Sequence, residues 1–221
     1  TIPASPRYAL DPNVGMRRTI VAKDGVEVQT VEHFMASLWG VGIDNAYVEV
    51  TSAELPGLDG SALVFLQQFQ AAGATEQEAP RRHFSLGEPV FVEDGDSSIV
   101  VLPSPTLRVS YLLSYDHPLL KSQFVSYALD NGSSFTETIA PARTFCLKKE
   151  AEALRSAGFG KGATYENTLV LGERGVLNNT LRFEDEFARH KILDLLGDLY
   201  LLGAHLRAHV IAIRSGHPLN V

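Results

Sequence analysis

Arg189-His190-Lys191-Ile192-Leu193-Asp194-Leu195-Leu196-Gly197-Asp198 is the stretch around which the rest of the chain is read. Phe187, Ile192, Leu193, Leu195, Leu196 and Leu199 fall at helical spacing, which predicts a long core helix over residues 183–202. His190 and Asp194 are one turn apart and therefore share a face of that helix. A neutral imidazole and a carboxylate on one face can reach a single divalent ion, and both suit zinc or ferrous iron. Two ligands do not make a site. Standing alone, they would read more simply as part of an ordinary surface network.

Working outward, Thr30-Val31-Glu32-His33-Phe34-Met35-Ala36-Ser37-Leu38 predicts a second helix, with Thr30 as N-cap and with Gly40 and Gly42 to stop it. Residues 19–22 and 26–30 are β-branched runs joined by Lys23-Asp24-Gly25, a hairpin signal. Residues 46–51 alternate as a strand should, and residues 61–72 read as an amphipathic helix. Residues 73–82 have almost nothing to bury, which sets an expected boundary between a unit spanning 1–79 and a second spanning 80–221. The second unit predicts strands at 89–93, 98–102 and 107–115, with Asp94-Gly95-Asp96 as a turn. A helix at 147–157, a strand at 168–171, the long helix and a strand at 209–214 follow. The His33 helix and the His190 helix are each followed by a glycine bend and a strand-like run, a faint internal echo. It predicts two related α+β units whose helices meet face to face, with a site between them.

Bulk properties remove several classes of function. The 221 residues carry 26 acidic and 19 basic groups, for a net charge of −7, and no Lys/Arg stripe, so nucleic acid is not an expected partner. No apolar run reaches the roughly 18 residues of a spanning helix, which leaves only peripheral contact with a membrane surface. Cys146 is the single cysteine, which excludes an internal disulfide and a thiolate-rich metal site and fits a reducing compartment, so a cytoplasmic location is expected. Cys146 itself reads as a small packed residue. A start at Thr1 and an end four residues after His217 lead us to expect part of a longer protein.

A catalytic zinc needs about three protein ligands and an open position, and His33, His190 and Asp194 form a set of that size. Glu32 precedes His33 and points roughly 100° away on a helix, so it is a candidate general base rather than a ligand. His217, in a Gly-flanked loop, is a candidate general acid, and Asp198 continues the Asp194 face and is placed to orient and charge it. His205 and His209 are also four apart, but a continuous helix there is doubtful, so they are a weaker metal pair.

Four ordered motifs then resemble one family. They are Thr30-Val31-Glu32-His33 with the Met-Ala-Ser-Leu that follows, Ala142-Arg143-Thr144-Phe145, Arg182 to Asp198, and Ser215-Gly216-His217-Pro218-Leu219-Asn220. Together they resemble UDP-3-O-acyl-N-acetylglucosamine deacetylase, the zinc amidase of lipid A and hence lipopolysaccharide synthesis. The resemblance implies two similar α+β domains, each a β-sheet layered on helices, with the active site at their interface. It implies His33, His190 and Asp194 as ligands of Zn²⁺ (Fe²⁺ being the other candidate), Glu32 as base and His217 as acid. Thr144 would sit near the oxyanion, and Asp198 would support His217. Lys191 would meet the anionic part of a UDP-linked acylated amino sugar, Phe145 would touch the sugar, and residues 147–159, including Leu147, Ala151, Leu154 and Phe159, would line an acyl passage. A monomer is expected. The family's first strands would lie before Thr1, and Pro218 stands where Ala is common in the family. Two other readings stay open: a zinc amidase acting on another N-acetyl substrate, and a non-catalytic nucleotide-sugar-binding fragment of the same fold.

Overall fold

The computed structural model describes residues 1–11, 17–120, 122–129 and 135–221. After a short 3₁₀ turn, β1 (Ile20–Lys23) and β2 (Val26–Gln29) form the expected hairpin. Asp24 and Gly25 both take positive φ, 52° and 78°, as a two-residue turn matched to strand twist requires. Helix α1 (Glu32–Val41) follows directly. Its N-cap is Val31 rather than the expected Thr30, because Thr30 is held at φ 58° with its hydroxyl donated to Glu54 Oε1 at 2.9 Å. Gly42 ends the helix in the left-handed region, as expected.

Residues 46–51 do not form the strand that their alternation predicts. Alternation supplies a face but no hydrogen-bonding neighbour, and no described strand pairs with this segment; Tyr47, Val48 and Val50 stand exposed. The chain rejoins the hairpin where Gln29 and Glu54 bridge, then enters α2 (Leu63–Ala72). Residues 73–82 are exposed throughout.

The second half builds a mixed sheet. β4 (Val90–Asp94), β5 (Ser97–Pro103), β6 (Arg108–Ser114), β7 (Ser122–Ala128) and β11 (His205–Ile213) lie in the order β4-β5-β11-β6-β7, and β3 (His83–Ser85) joins β11 at its start. β11 is the centre, antiparallel to β5 and parallel to β6. It begins at His205, earlier than the sequence predicts, because residues 205–207 pair with β3. Both His205 and His209 therefore lie on a strand, which disposes of them as a helical metal pair. His205 contacts Asp44 at 3.2 Å and His209 contacts Ser110 at 2.9 Å.

A smaller sheet of β8 (Phe145–Leu147), β9 (Leu169–Gly172) and β10 (Gly175–Val176) runs in the order β10-β9-β8, with α3 (Phe135–Thr138) before β8 and α4 (Lys148–Ser156) after it. The chain closes with α5 (Glu186–Tyr200), β11 and the short α6 (His217–Asn220).

Helix α5 is the core. Ile192, Leu193 and Leu195 are fully enclosed, with Val109, Tyr111, Ala208, Val210 and Ala212 supplied by the main sheet and Met35, Ala36 and Trp39 by α1. The architecture is thus α+β, with sheets packed on helices. Helices α1 and α5 touch backbone to side at one point: a Cβ on Gly197 would lie 1.9 Å from the Glu32 carbonyl oxygen. That contact sets the first turn of α1, which carries Glu32 and His33, against the C-terminal part of α5. The two helices and their glycine bends match the internal echo, whereas the strand that should follow α1 is missing among the described residues.

Candidate functional site

The first turn of α1 and three successive turns of α5 place Glu32, His33, His190, Asp194 and Asp198 along one seam, all buried. The His33 and His190 rings meet edge to face with centroids 4.9 Å apart. Asp194 Oδ1 lies 3.4 Å from His33 Nε2 and 3.3 Å from His190 Nε2, yet it accepts no hydrogen bond of good geometry from any described group. A buried carboxylate oxygen without a donor is costly. A cation drawn to that oxygen and to two imidazole lone pairs removes the cost, and the candidate ligand atoms all lie within 4.8 Å of one another. The residues present therefore fit a divalent metal.

The surroundings prepare these donors. His190 Nδ1 is 3.0 Å from the Ala142 carbonyl oxygen, which fixes the proton on Nδ1 and turns the Nε2 lone pair inward. Burial, aided by the neighbouring His33 and Lys191 and opposed by Asp194, brings His190 down to about 4, so it is neutral at ordinary pH. Asp194 is well below the usual carboxylate range: burial opposes its charge, but His190, Lys191 and His33 outweigh it. For His33, burial disfavours the charge, while contact with Asp194 and the nearby Glu32 wins and raises it.

Behind this cluster lie two groups suited to moving protons. Burial raises the Glu32 carboxyl, only partly offset by His217 and His33. Burial also disfavours charge on His217, but Asp198 and Glu32 overcome it and lift His217 to about 9. His217 Nδ1 donates to Asp198 Oδ2 at 2.8 Å, and Asn220 Nδ2 donates to the same oxygen at 2.8 Å. His217 Nε2 is left facing Glu32 Oε1 at 4.0 Å and Asp194 Oδ2 at 4.0 Å.

An open cavity of about 1260 Å³ leads from this cluster past Thr144, Phe145, Lys191, Ala151, Leu154 and Phe159. Lys191 Nζ is held by Asp194 Oδ2 at 2.9 Å, at the cavity wall rather than free in it. Leu147 ends β8 and packs, half-buried, against the core; it is not among the residues lining the cavity, whereas its neighbours Phe145 and Cys146 are. Phe159 lies under the Arg18 guanidinium, 5.6 Å from its ring centre.

Two supporting features were not legible in the sequence. Arg143 donates from Nε to Glu186 Oε1 at 2.9 Å and from its main-chain N–H to the same oxygen at 3.1 Å, which ties the Arg143-Thr144-Phe145 turn to the first turn of α5. Both residues sit in quoted motifs, but only folding pairs them. Thr19, immediately before β1, contacts Glu32, Asp198 and His217, and no spacing rule marks it.

Comparison with known proteins places this geometry in context. The family model described as UDP-3-O-acyl N-acetylglycosamine deacetylase (LpxC) matches residues 1–221. The UDP-3-O-acyl-N-acetylglucosamine deacetylase of Geotalea uraniireducens (strain Rf4) is 43% identical over 203 residues, which is 91% of this chain and 66% of that protein. The protein of the same name from Pseudomonas entomophila (strain L48) is 45% identical over 213 residues, covering 94% of this chain and 70% of its own length. That of Nautilia profundicola is 39% identical over 220 residues, covering 100% and 74%. The chain spans roughly two thirds to three quarters of the length of these relatives.

Proposed function

The chain belongs to the UDP-3-O-acyl N-acetylglycosamine deacetylase family, and on that premise we propose that it hydrolyses the N-acetyl group of a UDP-linked, 3-O-acylated N-acetylglucosamine to acetate and a free amine. The observation that carries the reading is the unpartnered, buried Asp194 Oδ1 between His33 Nε2 and His190 Nε2. His33, His190 and Asp194 would hold Zn²⁺, which when bound supplies a Lewis acid for the acetyl carbonyl and acidifies water. Fe²⁺ has the same ligand preferences here. Among the described residues no helix is long and apolar enough to cross a membrane. The reading carries with it a monomer working in the cytoplasm on lipid A synthesis, with peripheral contact at a membrane surface. It also places the division between two α+β units at residues 79 and 80.

The chain's own groups divide the proton work. Glu32 Oε1 takes the proton of the attacking water, and its raised affinity for a proton suits that task. The water oxygen bonds to the acetyl carbon, the C–N bond breaks, and His217 Nε2 delivers a proton to the departing nitrogen. A histidine held near 9 arrives protonated at neutral pH, as this role needs. Asp198 holds His217 in the tautomer whose Nε2 faces the reaction. Thr144, on the cavity wall, donates its hydroxyl to the developing oxyanion. Lys191 offers charge to the anionic part of the substrate, Phe145 packs on the sugar, and Ala151, Leu154 and Phe159 form an apolar path for the acyl chain.

The test is acetate release from UDP-3-O-acyl-N-acetylglucosamine by the purified chain, with stoichiometric zinc and with a chelator. Chelator-sensitive release that requires the UDP group supports the proposal. Release from other N-acetyl compounds without a UDP requirement would make it a general zinc amidase. No release from a folded, zinc-loaded chain that still binds the nucleotide sugar would make it a binding fragment.

A further inference from the structure

We propose that Thr19 is a positioning residue that sets both proton carriers of the reaction proposed above, on which this inference rests. Thr19 is 3% exposed and contributes three separate groups to the site. Its main-chain N–H donates to Glu32 Oε2 at 3.0 Å. Its carbonyl oxygen accepts from the Val31 N–H at 3.3 Å, at the very start of α1. Its hydroxyl donates to Asp198 Oδ1 at 2.6 Å and lies 3.1 Å from His217 Nδ1.

The hydrogen-bond inventory fixes who donates. A hydroxyl has one proton, and an ionised carboxylate only accepts, so the Thr19 proton goes to Asp198 Oδ1. The Thr19 oxygen then faces the Nδ1–H of His217 with a lone pair. Asp198 thereby receives three donors, from Thr19, His217 and Asn220, and the plane of its carboxylate is determined rather than free to rotate. With Nδ1 spent in this way, Nε2 is the nitrogen left to exchange a proton. On the opposite side, the Thr19 amide occupies Glu32 Oε2 and leaves Oε1 as the exchanging oxygen. One residue at the entry of β1 thus selects the reacting atom of each partner. This is geometric work: Thr19 touches neither the candidate metal ligands nor, in this reading, the substrate.

The experiment compares Thr19→Val, which keeps the shape and the main-chain amide but removes the hydroxyl, with Thr19→Ser, which keeps the hydroxyl. Expected for Thr19→Val is a kcat lower by about 10- to 100-fold, the size of a lost hydrogen bond to a charged group, with KM within about two-fold. Thr19→Ser should recover most of the loss. A second readout needs no turnover: the NMR signal of the His217 Nδ1 proton in the metal-free chain should persist in the wild type and in Thr19→Ser, and move or broaden in Thr19→Val. Should Thr19→Val not fold, Thr19→Ala read against Thr19→Ser makes the same comparison. The proposal is overturned by wild-type kcat in Thr19→Val, by a loss confined to KM, or by Thr19→Ser behaving as Thr19→Val does. A wild-type chain that releases no acetate would overturn the reaction instead, and the ring signal would still decide whether Thr19 holds His217.

Discussion

Glu32 Oε1 and His217 Nε2 face each other across 4.0 Å, and the second heteroatom of each is already committed, Oε2 to the Thr19 amide and Nδ1 to Asp198. Each residue therefore presents one free atom to the same small volume. Glu32→Gln and His217→Gln should each lower kcat by about 10²- to 10⁴-fold, while zinc affinity stays near wild type. Steady-state rates and metal titration check this. The double variant should lose less than the product of the two, since both act on one proton path. A Glu32→Gln chain that no longer binds zinc would make Glu32 a ligand instead.

Metal binding should be readable as stability. His33, His190 and Asp194 come together only in the folded chain, so an ion held there stabilises it, by about 2.7 kcal/mol when free zinc is 100 times Kd. A calorimetric Tm measured with zinc and with chelator should rise with zinc in the wild type. His33→Ala and Asp194→Ala should abolish that difference and acetate release together.

The metal-free chain should be most stable at near-neutral pH. His217 sits near 9 when folded, above the usual value of 6.5. Its proton therefore favours the folded state, fully so below about 6.5, and that contribution is lost as pH rises through about 9. The raised His33 acts in the same sense. His190 acts oppositely: its folded value is about 4, so acidification below the unfolded value favours the unfolded chain. Thermal scans of the chelated protein should show Tm falling on both sides. Asp198→Asn should flatten the alkaline limb, because it removes the charge that sustains His217.

Leu154 offers a probe of the acyl path. It is half-buried on the cavity wall in α4, and no hydrogen bond or ion pair links it to Glu32 or His217. Leu154→Trp should raise KM for long-chain acyl substrates by about ten-fold or more and leave short-chain substrates little changed. Kinetics across a series of acyl lengths would show this. Equal effects at every length would move the path elsewhere.

The parts legible in the sequence are those that local periodicity carries. The i, i+4 spacing of His190 and Asp194, the Glu32-His33 pair and the Asp24-Gly25 turn each depend on a few neighbouring residues, and the structure has them as read. β7 was also within reach: Val125 and Tyr127 point inward while Phe124 and Ser126 point out, the alternation a half-buried strand shows. The features that escaped depend on distant partners. Residues 46–51 have a strand's pattern, but among the described residues none pairs with them. The resemblance implies Leu147 as a passage residue, and where its side chain lies depends on β8 pairing with β9, 24 residues further along, which no local pattern around Leu147 announces. Thr19 is separated from Asp198 by 179 positions, and a lone threonine before a strand carries no signal until the fold closes on it.

Gly197 sits in the last turn of α5, three residues before Tyr200, where a residue without a side chain is worth up to about 1 kcal/mol less than alanine to the helix itself. Gly197→Ala should therefore have opposite signs in two preparations. A synthetic peptide spanning α5 should gain helical content, as its circular dichroism would show. The whole chain should melt lower and bind zinc more weakly, because the added methyl would meet the Glu32 carbonyl at 1.9 Å and push the two helices apart. The best sequence for this segment alone is thus a worse sequence for the protein, and improvement of α5 by its own helix-forming tendency would proceed at the expense of the distance between His33 and His190.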